Sequence, residues 1–504
     1  MTSESGMNFI ESVFRILAGL IGLFFLTLGL GFVAFPDIFA AVFSVQPAYG
    51  LGLNAIRGDF GGLFLGMSFF CLLGATTGRC RWLVVPIIFL ILIITGRLIS
   101  FGLDGLSAAG AQSLKIEAVL LAVLTVSTTV LALKAGTNEK GLKVTEIMNL
   151  KILVGAAVLA AILGGLVLSQ KQIGLALVNG IAAKIMTADV IADLPDGLHV
   201  ALCGSGSPLP DPRRASACTA VIAGKGLYVV DTGPSSERKL ELMRLNPGKV
   251  RAVLLTHFHS DHIGDLGELM LKRWAGGATK SPLDVFGPSG VEIVVRGFNQ
   301  AYALDNEYRI LHHGPELVPP TGAGGMARPF HFPLGKEEVV IIDTDGLKVT
   351  AFEVDHTPVK PAVGYRFDYK SRSVVISGDT IPVQSLLHQA QDADLLVQEA
   401  LQPAMISILK DLGKKIGRLN TAKIMGDIIS YHTSPEDAAK IANEARVRHL
   451  LLTHILPPLP VSNLKAAFLG DAGIFFHGPI TIGEDGMLFS LPAGNKKILK
   501  KWLL

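Results

Sequence analysis

Thr256-His257-Phe258-His259-Ser260-Asp261-His262 follows directly on the apolar run AVLL at 252–255 and leads into a helical stretch from Ile263 to Trp274. Three imidazoles and a carboxylate therefore share one turn, where a predicted strand ends and a helix begins. His257 and His259, two apart on an extended turn, can point toward one cation. Asp261 and His262, at the start of the helix, can face a second. A lone histidine is more often structural, but three within six residues beside an Asp are hard to account for by packing. Imidazole and carboxylate donors make zinc the leading metal, with other divalent metals open.

From His199 onward the chain alternates β-branched runs such as GLYVVDTG, VRAVLLTH and SRSVVISGDT with helical stretches and Gly/Pro turns, which predicts an α/β domain of about 300 residues. The residues before it are of another kind. The 504-residue chain has 17% charged residues, a mean hydropathy of +0.47 and a formal net charge of only +3. Those values exclude a disordered tail protein, a disulfide scaffold and a basic nucleic-acid binder. Only 17 of the 87 Asp, Glu, Lys and Arg lie in the first 150 residues, so one half is built for lipid and the other for water. Cys71, Cys80, Cys203 and Cys218 show no CxxC spacing and predict neither a thiolate zinc site nor a disulfide framework.

Apolar runs near residues 9–35, 51–75, 82–103, 114–134 and 151–169 predict an all-α transmembrane bundle of about five spans in a lipid bilayer. The stretch QIGLALVNGIAAKIM, Gln172 to Met186, is expected to continue the fifth span at the interface. Arg79 and Arg81 lie between spans two and three, and Lys134, Lys140, Lys143 and Lys151 between spans four and five, whereas residues 36–50 carry no Lys or Arg. The basic loops share the N-terminal side, and if that side is cytoplasmic an odd number of crossings puts the following domain in the periplasm of a bacterial inner membrane. Arg57, Asp59, Arg97, Asp104, Lys115 and Glu117 all fall toward the outer leaflet, as a structural polar network or as a ligand site. The patterns RGDFGG, TGRLISFGLDG and KIEAVLL resemble a small family of uncharacterised four-helix bacterial membrane proteins, over about residues 25–135.

The turn at 256–262 resembles the HxHxDH motif of the metallo-β-lactamase superfamily, and the resemblance runs along the whole soluble half. It implies an αββα sandwich. It also implies a two-metal site in which His356 of VDHTPVKPAVGYRF joins His257 and His259 on the first zinc. His454 of HLLLTHILP joins Asp261 and His262 on the second, and Asp379 of VVISGDT bridges. Such a bridge holds two cations about 3.5–4 Å apart, so that one hydroxide can sit between them. Asp231 of DTG is expected to support the metal-binding loop from behind the ligands. Glu399 in LLVQEA and His432 in HTSPEDAAKIA resemble the ribonuclease Z-like branch, which implies a histidine oriented by a glutamate and suited to protonate a leaving oxygen. His388, His449 and His477 are read as structural or exposed, and His312 and His313 as candidates for the substrate mouth. The implied boundaries are a transmembrane domain at 1–170, a linker or interfacial helix at 171–196 and a hydrolase domain at 197–495.

Only 22 residues separate His356 from Asp379, where the transfer-RNA processing enzymes carry the long insertion that forms their RNA-gripping arm. The expected activity is therefore hydrolysis of a small ester, a phosphodiester or sulfate ester, as in the arylsulfatase-like and phosphodiesterase-like relatives, with catalysis resting on Asp261, His432 and Glu399. A homodimer is compatible. The rival expectations are a ribonuclease Z-like endonuclease acting on RNA and a membrane sensor with a regulatory hydrolase-fold module. A β-lactamase lacks this combination of Asp ligands, glutamate and HTS sequence.

Overall fold

Among the described residues of the computed structural model, four helical stretches are long and apolar enough to cross a membrane: Phe9–Ala34, Gly52–Thr77, Cys80–Phe101 and Gly110–Ala132. The structure describes residues 2–43, 45, 51–104, 108–136 and 170–504, and the chain divides into two units, Met1–Gly180 and Ile181–Leu504. The expected span at 151–169 lies outside the described residues. Within the first unit the helices Thr2–Ala34 and Gly62–Thr77 approach closely because glycine lines the contact. A Cβ on Gly29 would stand 2.7 Å from the Leu65 side chain. Phe32 is buried within a cluster formed by Phe39, Phe43, Phe60 and Phe64. Of the expected charged network, Arg97 Nε donates to both carboxylate oxygens of Glu117, at 2.7 and 2.8 Å, so each charge is compensated where water is scarce.

The second unit opens with helix Gln170–Thr187, whose first residues belong to the other unit, and the short helix Val190–Asp193. Its first strands are β1 (Gly197–Gly204), β2 (Cys218–Ala223), β3 (Gly226–Val230), β4 (Val250–Leu254), β5 (Leu283–Gly287) and β6 (Gly325–Pro329). Next come β7 (Glu338–Thr344), β8 (Leu347–Glu353), β9 (Val363–Tyr369), β10 (Arg372–Ile376), β11 (Leu395–Leu401), β12 (Leu450–Leu456) and β13 (Ile480–Ile482). The last are β14 (Met487–Pro492) and β15 (Leu499–Trp502). One sheet runs β15-β14-β1-β2-β3-β4-β5-β6 and the other β13-β12-β11-β10-β9-β8-β7.

The central strands carry apolar residues on both faces because both faces are covered. Leu198, Val200 and Leu202 of β1 meet Tyr365 and Phe367 of β9 in a core between the sheets. Ala201 and Cys203 point the other way, toward helices Ser236–Leu242 and Leu266–Gly277. On the second sheet Leu396 and Ala400 of β11 pack under helix Pro435–Glu444. These layers are the expected αββα sandwich. β15 pairs with β14, so the sheet extends beyond the boundary expected at residue 495.

Cys203 and Cys218 form a disulfide, a single bond that the cysteine spacing, which indicates no disulfide framework, does not mark. They are 15 residues apart in sequence without a diagnostic spacing, but the antiparallel pairing of β1 with β2 sets them 5.0 Å apart at Cα. The single helix expected from Ile263 to Trp274 is two helices, Ser260–Ile263 and Leu266–Gly277. Thr232 explains the break: its N–H donates to His262 O at 2.7 Å and its carbonyl accepts from Asp265 N–H at 2.8 Å, in place of bonds within the helix.

Candidate metal centre

The centre is built at the carboxyl ends of adjacent strands, where the backbone leaves the sheet and side chains can converge. Asp231 ends β3 with a left-handed backbone, φ 59°, that an aspartate tolerates better than most residues. Its carboxylate accepts from Thr256 N–H and Thr256 Oγ1–H, both at 2.8 Å, and from His262 Nδ1–H at 2.8 Å. One carboxylate thus ties the end of β3 to both ends of the histidine turn. Asp379 follows β10 through Gly378, φ 62°, where a Cβ would lie 2.6 Å from Val363 O, so only glycine fits. His454 is the extra residue of a bulge in β12: Glu399 pairs with Thr453 and Ala400 with Ile455, which leaves His454 unpaired at φ 49°.

All seven predicted ligands come together. Asp379 Oδ2 lies 3.4 Å from both His262 Nε2 and His454 Nε2, 3.9 Å from His356 Nε2 and 4.0 Å from His257 Nε2. Asp261 Oδ2 lies 3.2 Å from His454 Nε2 and 3.5 Å from His262 Nε2. Donor atoms of His257, His259 and His356 all lie within 4.8 Å of one another, as do those of Asp261, His262 and His454. His356 Nδ1–H donates to Tyr431 O at 3.0 Å, and His262 Nδ1–H is held by Asp231, so in both rings Nε2 faces the cluster. Those two Nε2 atoms are buried without a hydrogen-bond partner. Unpartnered imidazole nitrogens beside buried carboxylates are the donor set that a divalent cation satisfies.

Burial draws His257 well below the ordinary imidazole range and His356 down to about 4. Burial acts on His262 in the same sense, but the charges of Asp379, Asp231 and Asp261 outweigh it and hold that imidazole well above its usual value. Burial alone would raise Asp261, yet His262 and the hydrogen-bonded His454 hold it at about 2.

Beside the cluster, Glu399 Oε2 accepts from His432 Nδ1–H at 3.2 Å, and Glu399 Oε1 accepts from Thr433 N–H at 2.8 Å. The His432 ring stacks 5.5 Å from that of His454 and stands edge-on to His356 at 5.2 Å. Burial opposes protonation of His432, but the charge and hydrogen bond of Glu399 outweigh it and raise its pKa. Tyr431 was missed from sequence. Its carbonyl fixes His356 and its ring lies 5.0 Å from those of both His356 and His432. Adjacency to His432 was the only signal. His312 and His313 sit exposed at the end of helix Ala303–His313 and belong to none of the converging groups. His388 and His477 are exposed, and His449 bonds Thr481 Oγ1 at 3.0 Å.

A family model described as the metallo-beta-lactamase superfamily matches residues 211–408. The ribonuclease Z of Mycobacterium sp. strain KMS is 35% identical over 292 residues, 57% of this chain and 94% of that protein. A metallo-beta-lactamase fold protein of Bacillus subtilis is 22% identical, with 58% of this chain and 99% of that one covered and a TM-score of 0.44. The short form of human tRNase Z is 21% identical, with 58% and 99% covered and a TM-score of 0.41.

The hydrogen bonds of Asp231 generate a test. Asp231→Asn keeps the side-chain shape but removes the charge that holds the His262 proton on Nδ1. Metal affinity, measured by competition with a chelator, should fall by about 10- to 100-fold while the fold persists. Parental affinity would refute the role given to Asp231.

Proposed function

The chain belongs to the metallo-beta-lactamase superfamily of metal-dependent hydrolases, and we propose that it is a membrane-anchored dinuclear zinc enzyme that hydrolyses small phosphodiesters or sulfate esters. The observation that carries the reading is the convergence of four imidazole nitrogens within 4.0 Å of one Asp379 oxygen. In this reading His257, His259 and His356 hold one cation, Asp261, His262 and His454 hold a second, and Asp379 serves both. Imidazole-rich donors support zinc. The cations supply Lewis-acid activation of the ester and of water. His432, with its Nδ1 proton engaged by Glu399, presents Nε2 to deliver a proton to the departing oxygen.

A small substrate is supported by what lies between His356 and Asp379. Those residues form a six-residue loop, β9, a tight turn and β10, which leaves too little chain for a long protruding arm. After residue 170 the chain has 35 Lys and Arg against 34 Asp and Glu, a balance unsuited to gripping a phosphate backbone. The second reading, an RNA endonuclease, is favoured by the 35% identity to a protein named ribonuclease Z. A periplasmic site is supported by the basic loops on the N-terminal side and by the Cys203–Cys218 disulfide, a bond suited to an oxidising compartment.

Four measurements test these proposals. The purified full chain should carry about two zinc ions and turn over chromogenic phosphodiesters or sulfate esters but not a precursor transfer RNA. Cleavage of the RNA alone would transfer the assignment to the second reading. His432→Ala should lower turnover by roughly 10²- to 10⁴-fold with an alkoxide leaving group and much less with a nitrophenolate; equal losses would remove the acid role. Because Glu399 raises the His432 pKa, activity on the alkoxide substrate should fall as pH rises through that value, and Glu399→Gln should move this alkaline limb to lower pH. An unmoved limb would break the pairing. A phosphatase reporter fused after Ala188 should be active outside the cytoplasm, while fusions at Gly78 and Asn138 register inside; a cytoplasmic signal at all three would overturn the periplasmic site.

A further inference from the structure

Between Glu399 and His432 the chain forms a helical hairpin, Pro403–Lys415 and Leu419–Asp427, turned at Gly417. Its inner side is fixed. Ile406 and Met425 are buried with Leu401 and Leu456, and Gly413 lies close enough to Ala422 that a Cβ there would be 3.2 Å from the Ala422 Cβ. Its outer side is unlike an ordinary solvated face. Ile408 is 67% exposed, Leu412 49%, Ile416 57%, Leu419 67% and Ile424 54%. The first three recur every four residues, so they form one stripe on one side of the helix.

The same hairpin carries Lys410, Lys414, Lys415, Arg418 and Lys423 against Asp411 and Asp427. Among the described residues only Lys423 of these cations is in an ion pair, with Asp427 at 2.8 Å. Aliphatic side chains alternating with free cations suit a surface that is apolar below and anionic above. RNA would need aromatic faces for its bases, and residues 403–427 contain no Phe, Tyr or Trp. A second copy of the same hairpin would repeat the positive charge.

We propose that this hairpin docks on an anionic lipid bilayer, with Ile408, Leu412, Ile416 and Leu419 entering the headgroup region and the basic residues meeting lipid phosphates. The proposal does not depend on which ester the enzyme cleaves. Its inner contacts connect the docked surface to the site: Leu456 lies two residues beyond His454, and Tyr431, packed on the same cluster, precedes His432.

The test uses the full chain in nanodiscs of phosphatidylcholine with and without phosphatidylglycerol, read by amide hydrogen exchange over residues 404–424. Exchange should slow at least about fivefold in the anionic discs, the effect of one basic residue at such a surface. Two variants, Lys410→Gln/Lys414→Gln/Lys415→Gln/Arg418→Gln and Ile408→Ser/Leu412→Ser/Ile416→Ser, should each abolish that protection while keeping the parental unfolding midpoint. All of these residues but the half-buried Lys410 are exposed, so the variants should fold; if the apolar variant lowers the midpoint, Leu412→Ser alone replaces it, and if the basic one does, Lys415→Gln/Arg418→Gln replaces it. Equal exchange in the two discs would overturn the proposal. So would protection that appears in detergent on adding RNA, or protection that grows with protein concentration.

Discussion

Buried carboxylates must be compensated, and the rest of the hydrolase unit is arranged around meeting that requirement at Asp231, Asp261 and Asp379, all under a tenth exposed. An unpaired charge there would cost several kcal/mol. Asp231 is compensated by three hydrogen bonds from the histidine turn, and Asp261 and Asp379 by the imidazoles that surround them. Such compensation works only if the strand ends hold still to within fractions of an ångström. The packed layer between the sheets supplies that rigidity. Tyr365, fully buried in it, donates its hydroxyl to Leu255 O at 2.6 Å, one residue before Thr256.

How much of this was legible depends on distance along the chain. The histidine turn was readable because its four ligands lie within six consecutive residues, so their convergence is marked by the local sequence alone. The later ligands, His356, Asp379 and His454, carry little local signal, and it was the resemblance in order and flanking sequence that marked them. Glu399 and His432 were marked in the same way. The geometry that aims them was hidden. A bulge at His454 is invisible without the partner strand, since it consists of a mismatch between β12 and β11. The disulfide was hidden for the same reason: Cys203 and Cys218 become neighbours only when β1 pairs with β2. The broken helix after His262 reflects tertiary bonds to Thr232 that outcompete local helix propensity.

The membrane unit was easier to read in outline, because hydrophobic length is a property of single segments. Its packing was not. Phe32 gathers rings from residues 39 to 64, and Arg97 meets Glu117 twenty positions away, contacts that hydropathy does not encode.

Two segments between ligand-bearing strands decide what the site can meet. About two thirds of the 22 residues between His356 and Asp379 form β9, its turn and β10, whose Tyr365 and Phe367 face the inter-sheet core, so this segment serves rigidity and has little length left to reach a macromolecule. The 32 residues from Glu399 to His432 are spent the other way. They leave the sheet, bury only a narrow inner stripe and present aliphatic and basic side chains outward. Of these two segments only the hairpin can meet a large partner, and its side chains match lipid better than nucleic acid. The same hairpin rests on the residues that carry His454 and His432, so whatever it meets is mechanically adjacent to the proposed proton donor and to one of the proposed metal ligands.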